Sequence, residues 1–259
     1  FAVMKKQEKP KSGMTLLIIG LVFVAAIIGA IYLYNSGSGS GASSTASSNS
    51  TAARPTPNFA NAPAGAPIGV NMLGSQTAAV TVEEFADYQC GGCAAVHPVM
   101  KELASAYAGN RNFRFIYRHY PLAIPAHDKS YEASVATEAA GLQGKFWQMQ
   151  DQLFRNQAAW TANQNYRQIW SEYATNLGMD VQRFQADIAG IQTKNRVDAD
   201  IQRGRALGVS STPSVFVNGK LVPFSELNIN SLRRIVDAEI AAVASAQQSN
   251  SAPAANANK

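Results

Sequence analysis

The sequence is poor in cysteine and histidine, with two cysteines and three histidines among its 259 residues. A structural zinc site takes four such ligands, so the two cysteines would need a pair drawn from His97, His119 and His127. This scarcity disfavours zinc. Covalent haem attachment requires a histidine directly after the second cysteine, but the residue after Cys93 is alanine. The sequence therefore predicts neither a metal nor any other bound cofactor.

The main part of the chain also lacks an excess of positive charge. The net charge is +5, of which residues 1–13 contribute +3 through four lysines and one glutamate, and Arg54 contributes +1; the remainder is about +1. A nucleic-acid-binding surface concentrates lysine and arginine to neutralise phosphates. This distribution argues against nucleic acid as a partner.

One long apolar stretch contains no charged residue. Residues 14–34 read MTLLIIGLVFVAAIIGAIYLY, and a helix of this length, rising about 1.5 Å per residue, spans a hydrocarbon core about 30 Å thick. Lysines precede the stretch and tyrosines end it, which predicts a single-pass membrane anchor with residues 1–13 in the cytoplasm. The rest would lie in the periplasm or at the cell exterior. The alternative is a cleaved signal peptide, whose apolar region is usually shorter, about 7 to 15 residues.

Two further segments have few large apolar residues. Residues 35–66 include the run NSGSGSGASSTASSNS, and residues 244–259 are rich in alanine, asparagine and serine. Such compositions bury too little apolar surface to fold. We therefore predict a flexible linker at 35–66, a disordered tail at 244–259 and one globular domain at 67–243.

The start of the predicted domain has a strand, turn and helix pattern. Residues 79–85 (AVTVEEF) are rich in β-branched side chains, which favours a buried strand. Apolar residues then recur at helical spacing over residues 93–107, and residues 113–117 (FRFIY) alternate as a second strand does. Cys90 and Cys93 lie at the junction between the first strand and the helix.

The remainder of the predicted domain is mostly helical. Residues 125–208 carry long helical patterns without strands, several of which end in glycine. Strand character returns at residues 213–217 (PSVFV), and Asn218-Gly219 predicts a hairpin turn. A closing amphipathic helix is expected at residues 229–242.

The spacing of the two cysteines favours chemistry over structure. A disulfide between residues three apart closes a very small loop, so it constrains the unfolded chain little. Disulfide exchange instead needs an exposed thiolate and a second thiol close to it. At the start of a helix, unpaired amides would lower the pKa of Cys90 and make it the nucleophile. Cys93, one turn further along, would be the resolving thiol.

Three segments, VEEFADYQCGGC, GKFWQMQDQLF and SSTPSVFVNGK, resemble the thioredoxin superfamily. Within it they resemble the DsbA-like exported oxidoreductases, which carry a helical domain inserted into the thioredoxin fold. The resemblance covers the whole predicted domain. It implies an α/β thioredoxin fold with a helical insertion at about 125–208, in which the Cys90–Cys93 disulfide is the redox-active group.

The resemblance also implies roles for other residues. Thr212-Pro213 matches the cis-proline loop, which lies beside the disulfide and offers backbone groups to a peptide. Glu84 matches a buried acid beneath the site and would exchange a proton with Cys93. Its neighbour Glu83 points to the other face of the strand, where we expect solvent.

Two residues of the predicted helix after the cysteines carry further expectations. Pro98 matches the helix kink of thioredoxins and would have a structural role. His97 lies one turn past Cys93. It would either tune the pKa of the thiolate or serve only in packing.

The direction of electron flow follows less directly from the sequence. The favoured hypothesis is an oxidase that introduces disulfides into reduced, unfolded exported proteins and passes electrons to a quinone-linked membrane protein of the DsbB-like or VKOR-like kind. Gly91-Gly92 lacks the imidazole of the strongest DsbA-like oxidants, which predicts a less extreme potential. A reductase, an isomerase, and a non-catalytic module that binds peptide or copper remain alternatives.

Overall fold

A computed structural model of the chain describes residues 59–251. The predicted cytoplasmic segment at 1–13, the predicted transmembrane helix at 14–34 and most of the predicted linker lie outside the described residues. None of the helices within residues 59–251 is both long enough and apolar enough to cross a membrane.

The centre of the described chain is a five-stranded sheet with the order β1-β3-β2-β4-β5. The strands β2 and β3 are parallel, and every other neighbouring pair is antiparallel. The strands predicted at 79–85, 113–117 and 213–217 are confirmed; β1, which was not predicted, is only three residues long. The strands are β1 (Met72–Gly74), β2 (Val80–Ala86), β3 (Phe113–His119), β4 (Ser214–Val217) and β5 (Lys220–Val222).

Helices surround this sheet, and those between β3 and β4 form the predicted helical insertion. The first helix follows β2, contains Pro98 in its interior, and packs against the last helix. The helices are α1 (Gly91–Ala106), α2 (Ser130–Gly141), α3 (Phe146–Arg155), α4 (Gln157–Thr161), α5 (Tyr166–Asn176), α6 (Val181–Ala189), α7 (Ile191–Ala206) and α8 (Ile229–Ser251).

The two faces of the sheet carry different cores because side chains alternate along each strand. On one face, Val80 and Val82 of β2 join Leu103 of α1 and Val236 of α8 in the larger apolar cluster. On the other face, a smaller cluster consists of Phe85, Tyr120, Leu207, Val209 and Phe216. Since both faces are covered, the two glutamates of β2, one on each face, are also buried.

The expectation that Glu83 is solvated is wrong. Only 3% of Glu83 is exposed, and its carboxylate accepts hydrogen bonds from Arg118 Nε at 2.7 Å and Arg203 Nε at 2.7 Å. Arg118 also binds Asp200 Oδ1 at 2.9 Å. Although burial opposes ionisation, the two guanidinium groups lower the pKa of Glu83. The residue does point away from the larger core, but it enters a buried ionic cluster.

Residues 59–66, expected to be linker, pack onto the smaller core. The ring of Phe59 contacts that of Phe216 at a centroid distance of 5.1 Å. Arg118 Nη1 donates to the carbonyl oxygen of Ala66 at 2.7 Å, and Arg203 Nη1 to that of Pro63 at 2.8 Å. Phe59 is the one large apolar residue of this segment, but the buried Arg118 and the half-buried Arg203 bind its backbone. The predicted boundary at 67 is therefore too late.

The predicted boundary at 243 is too early. The helix α8 continues to Ser251, so part of the predicted disordered tail is helical. Alanine dominates residues 241–246 and has the highest helix propensity of all residues, which explains the continuation.

Candidate active site

Cys90 is the N-cap of α1. Its backbone is extended, with φ −73° and ψ 118°, so the side chain turns back over the first turn. The amide of Cys93 donates to Cys90 Sγ at 3.3 Å, and the carbonyl oxygen of Thr212 lies 3.3 Å from the same sulfur. The sulfur therefore faces the positive end of the helix dipole.

The two thiols have opposite electrostatic environments. The Cys93 side chain, together with the amides of Cys93 and Gly92, lowers the pKa of Cys90 to about 5 against the effect of partial burial. Cys93 has no exposed surface, and burial raises its pKa well above the ordinary range. Both cysteines are free thiols in this structure. Near neutral pH, Cys90 is thus a thiolate beside a protonated Cys93.

The Thr212-Pro213 peptide bond is cis, as the resemblance implied. This loop lies directly against the dipeptide between the cysteines, because a Cβ at Gly92 would be 3.3 Å from Pro213 Cδ. Phe224, which is 64% exposed, would lie 3.8 Å from that Cβ. The binding of a substrate peptide by this loop stays a prediction.

Glu84 is buried on the face of β2 that points towards α1. Only 2% of the residue is exposed, and burial together with the nearby charge of Cys90 raises its pKa to about 8. Within residues 59–251, no side chain or backbone group hydrogen-bonds to its carboxyl. Its charge also acts on Cys93. The burial that the resemblance implied is confirmed, and the proton transfer stays a prediction.

Comparison with known proteins agrees with this geometry. A family model described as Thioredoxin matches residues 69–238. The chain belongs to the thioredoxin family. Its fold is the thioredoxin-like α/β fold, with the inserted helices α2 to α7 between β3 and β4.

Solved structures of thiol-disulfide oxidoreductases share this fold. BdbD from Bacillus subtilis is 18% identical with a TM-score of 0.57, and the match covers 71% of this chain and 95% of BdbD. A thioredoxin-like oxidoreductase from Silicibacter pomeroyi is 26% identical with a TM-score of 0.51, over 63% of this chain and 90% of that one. The thiol-disulfide exchange protein alpha-DsbA2 from Wolbachia pipientis is 23% identical with a TM-score of 0.53, over 64% and 84%. These structures confirm the fold that the resemblance to DsbA-like proteins implied.

The curated relatives carry a different name. Na(+)/H(+) antiporter NhaA 1 from Mycolicibacterium gilvum is 31% identical over 167 residues, which is 60% of this chain and 26% of the antiporter. NhaA 3 from Salinispora tropica is 34% identical over 150 residues, which is 58% of this chain and 22% of that protein. The chain thus spans about a quarter of the length of these relatives, and most of each antiporter lies outside the match.

His97 makes its direct contacts with residues of α3 rather than with the two cysteines. Its Nε2 lies 3.1 Å from Asp151 Oδ1, and its ring packs on Phe154 at a centroid distance of 4.8 Å. Burial lowers the pKa of His97, an effect that Asp151 opposes. Both partners belong to α3, which gives the packing role a physical basis. An effect of His97 on the Cys90 thiolate stays a prediction.

Asp87, which sequence reasoning missed, holds the loop before Cys90. It has no exposed surface. Its Oδ1 accepts from the Gln89 amide at 2.7 Å and from Ser130 Oγ at 2.5 Å, and its Oδ2 from the Leu122 amide at 2.7 Å. His127 Nδ1 lies 2.7 Å from Oδ2. A single aspartate in a predicted turn gives no sign of four partners that lie up to 43 positions away along the chain.

Gln157 of the insertion is a second residue that the sequence did not reveal. Its Nε2 donates to the carbonyl oxygens of Tyr88 at 2.7 Å and Cys90 at 3.1 Å. The helical insertion therefore fixes the backbone on both sides of Gln89, next to the nucleophile. Backbone contacts of this kind leave no pattern in a single sequence.

The chemistry of the site lies in its own side chains. Among residues 59–251, no three histidine, cysteine, aspartate or glutamate side chains are grouped so that they could hold a metal ion. The arrangement offers an ionised sulfur, a protonated sulfur next to it and an acid that interacts with both. These are the groups that thiol-disulfide exchange uses.

Proposed function

We propose that this protein is a thiol-disulfide oxidoreductase in which Cys90 is the nucleophile and Cys93 the resolving thiol. The observation that carries the proposal is the contrast between the two sulfurs. Cys90 has a pKa lowered to about 5, whereas Cys93 is fully buried with a raised pKa. Family membership and the oxidoreductase neighbours support the same reaction.

In the oxidising direction, a substrate thiolate attacks Cys90 Sγ of the Cys90–Cys93 disulfide. The disulfide breaks, and Cys93 leaves with the electron pair and takes a proton from Glu84. A second substrate thiolate then attacks the substrate sulfur of the mixed disulfide, and Cys90 leaves as a thiolate. The substrate has lost two electrons and gained a disulfide, while the protein holds two reduced cysteines.

The stabilised Cys90 thiolate supports oxidation as the physiological direction. A low pKa of the nucleophile stabilises the reduced protein, so its disulfide becomes a stronger oxidant. We infer that the substrates are reduced, unfolded exported proteins. A quinone-linked membrane protein of the DsbB-like or VKOR-like class would reoxidise the cysteines. The apolar run at 14–34 would anchor the domain to the outer face of the membrane, near that partner.

The test is disulfide formation in a reduced, unfolded substrate by the oxidised protein. We expect activity in the wild type, none in Cys90→Ser, and wild-type activity in Ala106→Ser, an exposed control on the same helix. Unchanged activity in Cys90→Ser would contradict the proposal and leave a binding role for peptide or copper.

The direction needs a separate measurement. Thiol alkylation in intact cells, followed by a gel shift, reports the oxidation state of Cys90 and Cys93. We expect a mostly oxidised pair. A mostly reduced pair would indicate a reductase or an isomerase with the same cysteines.

A further inference from the structure

Asp87 is bonded to the segment of the two cysteines through its amide, its carbonyl and its carboxylate. The amide donates to Cys93 Sγ at 3.5 Å, and the carbonyl oxygen accepts from the Cys90 amide at 3.2 Å. The carboxylate accepts from the Gln89 amide at 2.7 Å. Both cysteines are therefore bonded to the backbone of one buried residue that precedes them.

Residues that follow β3 hold the carboxylate of Asp87 in place. Ser130 Oγ donates to Oδ1 at 2.5 Å, and the Leu122 amide donates to Oδ2 at 2.7 Å. His127 Nδ1 lies 2.7 Å from Oδ2, and because a carboxylate can only accept, this nitrogen is the donor. The position of the Asp87 amide is thus fixed both by its own turn and by the chain that leads into the helical insertion.

The amide of Asp87 faces a sulfur that becomes charged only during the reaction. Cys93 has no exposed surface, and burial raises its pKa well above the ordinary range, whereas the Asp87 amide acts in the opposite direction. A thiol or disulfide sulfur is a weak acceptor, but a hydrogen bond to a charged group is strong. The bond from Asp87 therefore strengthens as negative charge develops on Cys93.

We propose that Asp87 is a positioning residue that holds its own amide on Cys93 Sγ and so stabilises the negative charge that develops there. The inference rests on the proposed function and specifies how its disulfide opens. When a thiolate attacks Cys90, a new sulfur–sulfur bond forms as the Cys90–Cys93 bond breaks, and Cys93 takes the electron pair. In the reverse step, the Cys93 thiolate attacks Cys90, and the bound thiol leaves as a thiolate.

Opening and closing of the disulfide pass through the same transition state. A group that stabilises only this state accelerates both steps by the same factor and leaves the ratio of their rates unchanged. A group that stabilises the Cys90 thiolate of the reduced protein would instead change the equilibrium. The two kinds of effect are therefore distinguishable by experiment.

Glutathione measures both steps in the whole chain. Reduced glutathione opens the disulfide of the oxidised protein, and the mixed disulfide at Cys90 closes again with release of glutathione; acid quenching and mass spectrometry give both rates. In Asp87→Asn, either orientation of the side chain turns its NH₂ group towards a backbone amide, of Gln89 or of Leu122, which cannot accept. We expect both rates to fall by about thirtyfold, the effect of one hydrogen bond to a charged group, with their ratio unchanged.

The matched control is Asp200→Asn. Asp200 is also fully buried, and its carboxylate binds Arg118 and the amides of Ala66 and His119 but no group of residues 87–93. Loss of a buried carboxylate should lower the stability of this variant without changing either rate. Equal slowing in Asp200→Asn and Asp87→Asn would overturn the inference, because it would assign the effect to packing.

A milder pair of variants does not depend on the folding of Asp87→Asn. His127→Ala removes one donor to the carboxylate and should slow both steps by about fivefold. His127→Asn keeps a nitrogen donor near the position of Nδ1 and should restore the wild-type rates. Wild-type rates in His127→Ala, or a ratio of the two rates that changes as much as the rates themselves, would overturn the inference. Absence of disulfide exchange in the wild type would instead contradict the proposed function.

Discussion

The ionisation of Cys90 gives a prediction whose size depends on pH. Its pKa is lowered from 9.0 to about 5, so at pH 7 about 99% of Cys90 is thiolate, against about 1% for an ordinary cysteine. The intrinsic nucleophilicity of a thiolate falls with its pKa, with a Brønsted slope of about 0.45. Over four pKa units this slope lowers the rate per thiolate by about 60-fold.

The larger ionised fraction of Cys90 and the lower nucleophilicity of its thiolate nearly cancel at neutral pH, whereas at acid pH the larger ionised fraction dominates. At pH 7 the alkylation rate of Cys90 should be only about twofold above that of a cysteine peptide. At pH 5, where half of Cys90 remains ionised, the advantage should be about 80-fold. The assay is the rate of iodoacetamide modification of the reduced protein from pH 4 to 9, with the modified residue located by mass spectrometry.

The control is Cys93→Ala, which removes the largest cause of the low pKa of Cys90. The pH profile of its modification rate should have a midpoint at higher pH than that of the wild type. A wild-type midpoint above about pH 8, or a midpoint that does not move in Cys93→Ala, would refute this explanation of the thiolate.

Three further predictions concern stability, measured by urea denaturation of the reduced protein. Burial raises the pKa of Glu84 to about 8 against 4.5 and so favours the neutral carboxyl, whose contribution to stability is complete below pH 4.5 and is lost as the pH rises towards 8. Glu84→Gln should therefore stabilise the protein by up to about 3 kcal/mol at pH 7 and by little at pH 4. Equal effects of Glu84→Gln at both pH values would contradict this reasoning. Arg118→Ala should lower the free energy of unfolding by about 3–5 kcal/mol, because it leaves the carboxylates of Glu83 and Asp200 buried without this partner; a loss below about 1 kcal/mol would mean that the ionic cluster is not buried in solution. Removal of residues 1–66 should cost more than about 2 kcal/mol relative to removal of 1–58, since Phe216 loses the Phe59 ring and Arg118 loses its backbone acceptors; equal stability of the two truncations would show that residues 59–66 do not pack.

Local patterns in the sequence were sufficient for the elements that carry the cysteines. The β-branched residues 80–82 and the apolar spacing after Cys93 each reflect a buried face of one element, so β2 and α1 were predictable. The helical insertion followed from the length of its apolar patterns. The strand β1 did not, because three residues are too few to show alternation.

The surroundings of the site depend on contacts that no local pattern records. Glu83 is paired with arginines 35 and 120 positions away, so its burial could not be inferred from its neighbours in the chain. Gln157 acts through backbone carbonyls, and Asp87 through two backbone amides together with the distant side chains of His127 and Ser130. The thiols could therefore be identified from sequence, whereas the groups that hold them in place required the fold.

Covalent trapping tests the central claim, that Cys90 exchanges disulfides and Cys93 resolves the intermediate. The Cys93→Ala variant is incubated at pH 8 with a protein substrate that carries an accessible disulfide, and the products are separated on a non-reducing gel. We expect a covalent complex through Cys90 that dithiothreitol dissolves and that Cys90→Ala does not form. No complex with Cys93→Ala, or the same complex with Cys90→Ala, would contradict the proposed function.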